Sequence, residues 1–367
     1  MNTELLYHIA LTMVPHVGPV QARALLTRLG SARAVFTAPL ETLQKIGNIG
    51  QARASAIRSF RNFKAAEQEI AFIQRYGIQP IVFTDTAFPQ RLLHCYDSPT
   101  LLYYKGTADL NRSKIIAIVG TRINTEYGRF VTEKLVADLS SLGLLVISGL
   151  AHGIDAVAHR SALKNNLPTV GVLAHGLDRV YPDNHAGLAH EMIRAGGGLL
   201  TEFRSQTDPD RYQFPSRNRL VAGMSDATIV IETGVKGGSM ITAELANGYN
   251  RDVFALPGKA TDSKSAGCNY LIRNNKACLI SNAADLLESM NWDEKAGPAR
   301  SPQKEIFVEL TAEEQVLIDL LRGREAVHID EINLKSGLSN SSVAAAILNM
   351  ELQNVIFAKP GKRYSLM

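Results

Sequence analysis

Between residues 106 and 290, short runs of aliphatic and β-branched residues alternate with amphipathic stretches of helical period. The runs are KIIAIVG (114–120), LLVISG (144–149), TVGVLA (169–174), GLLTEF (198–203), ATIVIE (227–232), DVFALPG (252–258) and ACLI (277–280). Segments such as YGRFVTEKLVADLSSLG and DAVAHRSALKNN separate them. This alternation predicts strands and helices wound into a parallel sheet by right-handed crossovers. The fold class expected is α/β, a doubly wound, Rossmann-like sheet. Its ligand site should lie outside the C-terminal strand ends.

The loops after those strands therefore carry the chemistry. After the first strand comes VGTRINTEYG (119–128). It is not GxGxxG, so no dinucleotide cofactor is expected. Gly120, Thr121 and Arg122 sit there instead, and a guanidinium at that turn can clamp a phosphate and stack on a base. After the second strand, SGLAHGIDAVAH (148–159) opens with Ser148, Gly149 and Gly153 and places Asp155 where it would cap a helix. His152, Asp155 and His159 fall on one helix face, yet with Asp155 taken as the cap no third strong ligand joins the two histidines, and no metal is expected. The third strand leads to HGLDRVYPDNH (175–185), where Gly176 and Tyr181 border the crevice. A long polar loop follows the fourth strand and ends in Phe214, Arg217, Asn218 and Arg219. After the fifth strand comes ETGVKGGSMITAE, where Lys236 precedes Gly237, Gly238 and Ser239 at a helix start. Backbone N–H groups there form an anion nest, strengthened by the helix dipole. Arginines, a lysine and nests at successive strand ends fit an elongated, phosphate-rich ligand.

No GxSxG, GxxxxGK[ST] or HExxH motif is present, so the chain is not expected to be an enzyme. Glu232 and Glu244 are the acidic residues nearest the crevice, and hydrogen bonding to backbone N–H groups or to an arginine is the favoured account of both.

Length and composition bound the rest. A chain of 367 residues is enough for two or three domains. Hydrophobic residues make up 46% and charged residues 20%, as in a soluble globular protein. No apolar run is long enough for a membrane helix. The N-terminal stretch has no basic region and no small-residue cleavage site, so no signal peptide is expected. Cys95, Cys268 and Cys278 are scattered, which suits a reducing cytoplasm.

Four segments are expected: a helical domain at 1–80, the α/β domain at 81–290, a linker at 291–305 and a C-terminal domain at 306–367. VPHVGPVQARALL (14–26) and IGNIGQARASAI (46–57) each read as a helix-hairpin-helix, or as two short helix pairs packed together. DEKAGPARSPQKE (293–305) has linker composition. Beyond it, Thr311 and Glu314 form a capping box. The order helix, helix, helix, hairpin predicts a winged helix, with Ser339, Asn340 and Ser341 opening the recognition helix and KPGKR as the wing turn. Residues 1–105 carry 11 Lys/Arg against 6 Asp/Glu, residues 106–290 carry 19 against 18, and residues 305–367 carry 6 against 9. The acidic C-terminal domain is a poor non-specific partner for phosphates, and a role in protein contact or regulation is expected.

The strings IVGTR (118–122), ISGLAHGIDAVAH (147–159), TEF (201–203), FPSRNRLVAGMSDATIVIETGVKGGSMITAELA (214–246), VFALPG (253–258) and GCNYLIRNNKA (267–277) together resemble the DNA-processing protein A family, DprA/Smf. FPQRLLHCYDSPTLLYYKG (88–106) resembles that family's lead-in to its Rossmann domain. The resemblance implies an extended Rossmann domain with an N-terminal helical domain and a C-terminal winged helix. It implies a cytoplasmic protein that binds single-stranded DNA, protects incoming strands in natural transformation and helps load RecA recombinase onto them. It also implies a homodimer. The family's GTR arginine falls on Arg122, its FPxRNR arginines on Arg217 and Arg219, and its GGS loop on Gly237, Gly238 and Ser239. Leu271 and Ile272 fall in the stretch used for dimer and RecA contact. A lysine common near YP in relatives has no counterpart among Tyr181–His185, which puts a basic contact on that loop in doubt.

The residues also fit this implication from below. Single-strand binders combine a positive groove with stacking groups, and Tyr181, Phe203, Tyr212 and Phe214 are the candidate stackers. The alternative is a nucleotide-binding enzyme. The loop ETGVKGGSMITAE is similar to the PGGxGT loop of nucleoside-monophosphate phosphoribohydrolases of the lysine-decarboxylase-like group, and Glu232 or Glu244 would then assist N-glycosidic cleavage. An NAD-dependent oxidoreductase and a pure protein scaffold are further readings.

Overall fold

The computed structural model describes residues 3–292 and 310–366, apart from 325, 354, 360 and 361. The contacts within it divide the chain into two compact units, Met1–Trp292 and Asp293–Met367.

The first unit opens with six helices: α1 (Thr3–Thr12), α2 (Pro19–Leu29), α3 (Ala32–Thr37), α4 (Leu40–Gln44), α5 (Gln51–Ser59) and α6 (Phe63–Tyr76). The loops before α2 and α5 are built alike. Each holds one residue at positive φ, His16 and Asn48, both at 65°, two positions ahead of the glycine N-caps Gly18 and Gly50. Arg53 bonds both loops, donating to the carbonyls of His16 and Asn48. The two hairpins are thus tied back to back by one side chain.

A sheet of nine strands follows. In chain order it contains β1 (Gln79–Val82), α7 (Gln90–Leu93), β2 (Leu101–Gly106), β3 (Ile115–Val119), α8 (Glu126–Asp138), β4 (Leu145–Ser148), α9 (Ile154–Lys164) and β5 (Thr169–Val172). It continues with α10 (Ala186–Arg194), β6 (Gly198–Thr201), α11 (Gln213–Met224), β7 (Ala227–Val230), α12 (Gly238–Gly248), β8 (Asp252–Ala255), α13 (Ala266–Arg273), β9 (Cys278–Leu279) and α14 (Ala283–Ser289). The spatial order is β1-β2-β6-β5-β4-β3-β7-β8-β9. Strands β3 to β9 run parallel, as the sequence alternation predicts. Two strands that the sequence reading does not include extend the sheet: β2 pairs antiparallel with β6, and β1 antiparallel with β2. The sheet is therefore mixed at one edge. The strands β3 to β7 are buried throughout, with apolar clusters on both faces.

The boundary expected at residue 80 falls inside β1. Its physical reason is a shared core: Ile9, Ile70 and Ile73 of the helices pack with Ile78, Leu101 and Tyr103 of the sheet edge. Glu69, buried on α6, accepts the N–H of Ser205 at 2.9 Å and its hydroxyl. Arg23 donates to the carbonyls of Leu93 and Cys95 at 3.0 and 3.3 Å.

The second unit has its own core around Leu317, Ile332, Val343 and Met350. It comprises α15 (Ala312–Leu321), β10 (Val327–His328), α16 (Ile329–Ser336), α17 (Asn340–Leu352), β11 (Ile356–Lys359) and β12 (Arg363–Leu366), with sheet order β10-β12-β11. The Thr311 hydroxyl accepts from the Glu314 N–H, and Glu314 returns a bond from the Thr311 N–H at 2.8 Å. Ser339 caps α17 through the Ser342 N–H at 3.1 Å. The wing turn KPGKR crosses residues 360 and 361, and the linker beyond Trp292 runs through 293–305; these lie outside the described residues.

Candidate nucleic-acid interface

From β3 the chain winds to β4, β5 and β6 on one side, then returns to β7 on the other. The winding reverses between β3 and β7, which is where an open α/β sheet leaves a crevice at its C-terminal edge. A crevice of about 740 Å³ lies there. Its walls include Gly120, Thr121 and Arg122 after β3, Gly149 after β4, Arg217 and Asn218 of α11, and Gly237, Gly238 and Ser239 at the start of α12. The two central loops are stitched together, since the Thr121 N–H donates to the Glu232 carbonyl at 2.7 Å and the Ile154 N–H to the Thr121 carbonyl at 3.2 Å.

The glycines serve this packing. Gly153 stands at φ +76°, and a Cβ there would fall 2.2 Å from the Thr121 carbonyl oxygen. A Cβ on Gly149 would overlap the Arg217 guanidinium at 2.2 Å. Gly238 differs, because a Cβ there meets nothing within 4 Å. It opens onto the crevice.

Arg217 forms the floor. It is 5% exposed and donates to the carbonyls of Gly149 and Val172. Its Nε donates to Asn218 Oδ1 at 3.1 Å. Burial pulls its pKa down to about 10, with the Asp155 charge acting against that and Arg122 adding to it. It stays cationic at neutral pH, a fixed positive charge beneath the crevice. Asp155 does not cap its own helix, whose N-cap is Gly153; instead it reaches back to accept the N–H groups of Gly149 at 3.1 Å and Ala151 at 3.4 Å. Burial raises its carboxyl above the usual range, and Arg217 and these donors oppose that rise.

The rim is exposed and mixed in character. The Arg122 guanidinium lies 5.2 Å from the centre of the Phe214 ring, within cation–π range. Phe214 in turn meets Tyr181 at 6.0 Å, tilted by 49°. Arg211 also lines the crevice, its guanidinium 4.7 Å from the Tyr212 ring. At the start of α12 the Ser239 hydroxyl donates to Thr233 Oγ1 at 2.7 Å, and Gly237 supplies no side-chain cap. The N–H groups of Gly237 and Met240 donate to the carbonyls of Gly234 and Gly237 at 2.9 and 3.0 Å, which leaves those of Gly238 and Ser239, both residues of the crevice wall, without an intrahelical acceptor.

Several expected residues stand elsewhere. Ser148 is fully buried and donates to the Ile118 carbonyl at 2.7 Å. Arg219 is buried against Glu202 and the Asp97 carbonyl, because two positions on a helix turn a side chain by about 200° from Arg217. Lys236 is exposed but off the crevice wall. Phe203 and Tyr212 also lie off that wall, leaving Tyr181 and Phe214 as its aromatic residues. Leu271 is fully buried in the core, whereas Ile272 packs against that core and stays half-buried. Glu232 accepts the Thr125 N–H at 2.9 Å and its hydroxyl, and Glu244 pairs with Lys276 at 2.6 Å. His159 is buried against Thr169, His152 stacks edge-on against His185, and no cluster among the described residues could hold a metal ion. The wall also holds residues the sequence reading passes over: Arg211, Pro209, Thr233, Ile241 and Thr242. Arg211 sits in the polar loop already singled out, and its charge beside PD was the available signal.

The model of the DNA recombination-mediator protein A family matches residues 79–291, that of the DprA winged helix domain residues 298–362, and a helix-hairpin-helix motif residues 9–70. Protein Smf of Synechocystis is 31% identical, with 99% of each chain covered. DNA processing protein A of Streptococcus pneumoniae, known from an X-ray structure, superposes with a TM-score of 0.66 at 30% identity over 77% of this chain and 97% of that one. The Helicobacter pylori protein, whose structure concerns its single-stranded DNA binding mode, gives a TM-score of 0.53 at 30% identity over 59% of this chain and 97% of that one. With a family model spanning more than half its length and a relative similar from end to end, the chain belongs to the DprA/Smf family, DNA recombination-mediator protein A.

Proposed function

We propose that this chain binds single-stranded DNA in the crevice between β3 and β7. The observation that carries the reading is the Arg122–Phe214–Tyr181 cluster, a cation and two aromatic rings on one rim above a buried arginine. A strand offers phosphates to Arg122, Arg211 and the N–H groups of α12, and unpaired bases to Phe214 and Tyr181. Duplex DNA keeps its bases stacked inside and has nothing to give those rings, so single strands are preferred. The S. pneumoniae and H. pylori relatives support this reading, as does the latter's described binding mode.

The wider role follows from the family. The bound strand is incoming DNA, shielded during natural transformation in the cytoplasm and passed to RecA, with two copies of the chain acting as a dimer. Leu271 is core, so the proposed dimer contact rests on the half-buried Ile272 and the exposed sheet edge at β9, where Leu279 is 50% exposed. The phosphoribohydrolase reading is disfavoured by the engagement of its two glutamates, one with Thr125 and one with Lys276.

Fluorescence anisotropy with a labelled single-stranded oligonucleotide tests the site. Arg122→Ala and Phe214→Ala should each weaken binding by about 1–3 kcal/mol, the size of a lost charge-assisted contact or base stack. Duplex of equal length should compete poorly. Binding indifferent to both substitutions would move the site off this crevice.

A further inference from the structure

The crevice does not end at its own wall. Ile241, on the first turns of α12 and 43% exposed, lines it and also lines a second groove of about 570 Å³. That groove is walled by Met240, Leu245 and three tyrosines, Tyr96, Tyr249 and Tyr270. Tyr96, 70% exposed, lines in turn a third depression along α2, with Val20, Arg23, Thr27 and Arg28. Two shared residues thus join three hollows into one surface, from the sheet edge across α12 to the N-terminal helices.

The path is held in place. Arg23 bonds the carbonyls of Leu93 and Cys95, which fixes α2 against the loop carrying Tyr96. Tyr249 meets Tyr96 at 5.8 Å, and its hydroxyl donates to Asp97 at 2.6 Å. Arg273 and Lys276 each lie 5.9 Å from the Tyr270 ring. Glu244 also stands on the groove wall, and its charge is met by Lys276 at 2.6 Å. Arg28 is exposed at the far end. Aromatic faces interleaved with cations, continuous with a phosphate-binding crevice, match what an unpaired strand needs. A peptide would use the tyrosines but gain little from Arg28 and Arg273 unless it were acidic.

We propose that the strand leaves the crevice over α12, lays a base in the tyrosine groove between Tyr96 and Tyr270, and brings a phosphate to Arg28 on α2. The N-terminal helices then form the far end of the strand track, through one face of α2 rather than through the glycine hairpins. This rests on the single-strand reading of the crevice.

The test compares labelled oligonucleotides of about 5 and about 20 nucleotides, short and long relative to a single binding module. Tyr96→Ala and Arg28→Glu, both at exposed positions, should leave the affinity for the short strand unchanged and lower that for the long one roughly tenfold, the size of one lost stack. Unchanged short-strand binding also certifies that the variants are folded. Arg122→Ala should weaken both lengths. Photo-crosslinking from 5-iodouracil placed successively along the long strand should reach Tyr96 or Tyr270 from positions beyond the crevice. A normal Arg122 effect, with neutral Tyr96 and Arg28 variants or with distal crosslinks elsewhere, overturns the track alone. Absence of binding to either length by the unaltered protein overturns the crevice reading and the track with it.

Discussion

Arg217 and Arg219 belong to one short motif and do different work. Arg217 holds the crevice floor through backbone carbonyls, while Arg219 is locked to Glu202 with side-chain exposures of 10% and 12%. Removing one member of a buried pair leaves the other charge unmatched. Arg219→Ala should therefore lower unfolding stability by about 3–5 kcal/mol while the folded fraction keeps its strand affinity, as urea titration and anisotropy together would register. A loss of affinity without a loss of stability would return Arg219 to the interface. The sequence marks both arginines as a pair of interest. It could not separate them, because the carbonyls and the carboxylate that hold them lie 17 and more residues away and only the helical phase of α11 decides which each one meets. His159 shows the same limit: its place on a helix face with His152 and Asp155 says nothing of its depth, and it is fully buried with Nδ1 on Thr169 and Nε2 unpartnered. Burial, ahead of the repulsion from His185 and Arg217, depresses its pKa to about 3 from an ordinary 6.5. The unfolded chain then takes up a proton below pH 6.5 that the folded chain refuses, so stability is present above that pH and falls as acid is added, down to about pH 3. Between pH 6.5 and 5 the loss from this one group is about 2 kcal/mol. His159→Asn should flatten the acid limb of urea-derived stability by that order relative to wild type. Equal slopes in the two proteins would mean that the ring can be protonated in place.

At the scale of elements, the parallel strands were legible because each is a short apolar run fenced by helical periodicity. Strands β1 and β2 were not, since QPIV and LLYYKG become strands only through β6, which pairs Tyr103 with Thr201 from almost a hundred residues away. The glycine loop before α12 was legible as a helix start from its composition. Which of its glycines leaves open space beside the crevice was not, and the added-Cβ distances separate Gly237, blocked by Thr233 Oγ1 at 2.3 Å, from Gly238, which is open. That difference gives a substitution whose two effects have opposite sign. An acidic residue at the first turn of a helix stabilises it by about 0.3–1 kcal/mol through the dipole. The same carboxylate would meet phosphate where the nest should welcome it, and like charges in contact are strongly unfavourable. Gly238→Asp should thus hold or slightly raise the melting temperature and weaken strand binding roughly tenfold or more. Retained affinity would place the phosphates away from α12.

At the scale of the whole chain, charge is distributed against the simple expectation that a DNA-binding protein is basic throughout. Residues 106–290 carry 19 Lys/Arg and 18 Asp/Glu, and residues 305–367 carry 6 and 9. Many of the acids in the sheet domain are already engaged, as Asp155, Glu202, Asp226 and Glu232 are with backbone donors or arginines. The field at the crevice is therefore set by a few local cations, Arg122, Arg211 and the buried Arg217, and the domain's net charge says little about it. The C-terminal unit has a separate core and an acid excess, so repulsion of the phosphates rather than grip is expected of it. A chain ending at Trp292 should fold and bind a single strand with affinity within about twofold of the full protein, a difference below the size of one contact. Its salt dependence should be equally unchanged, since each phosphate neutralised on a single strand contributes about 0.7 to the slope of log affinity against log salt. Arg122→Ala should reduce that slope by about 0.7 in the full and shortened chains alike. A shortened chain with a shallower slope would mean that cations of the winged helix touch the strand after all. A slope unmoved by Arg122→Ala would mean that the guanidinium stacks on Phe214 and the bases without neutralising a phosphate.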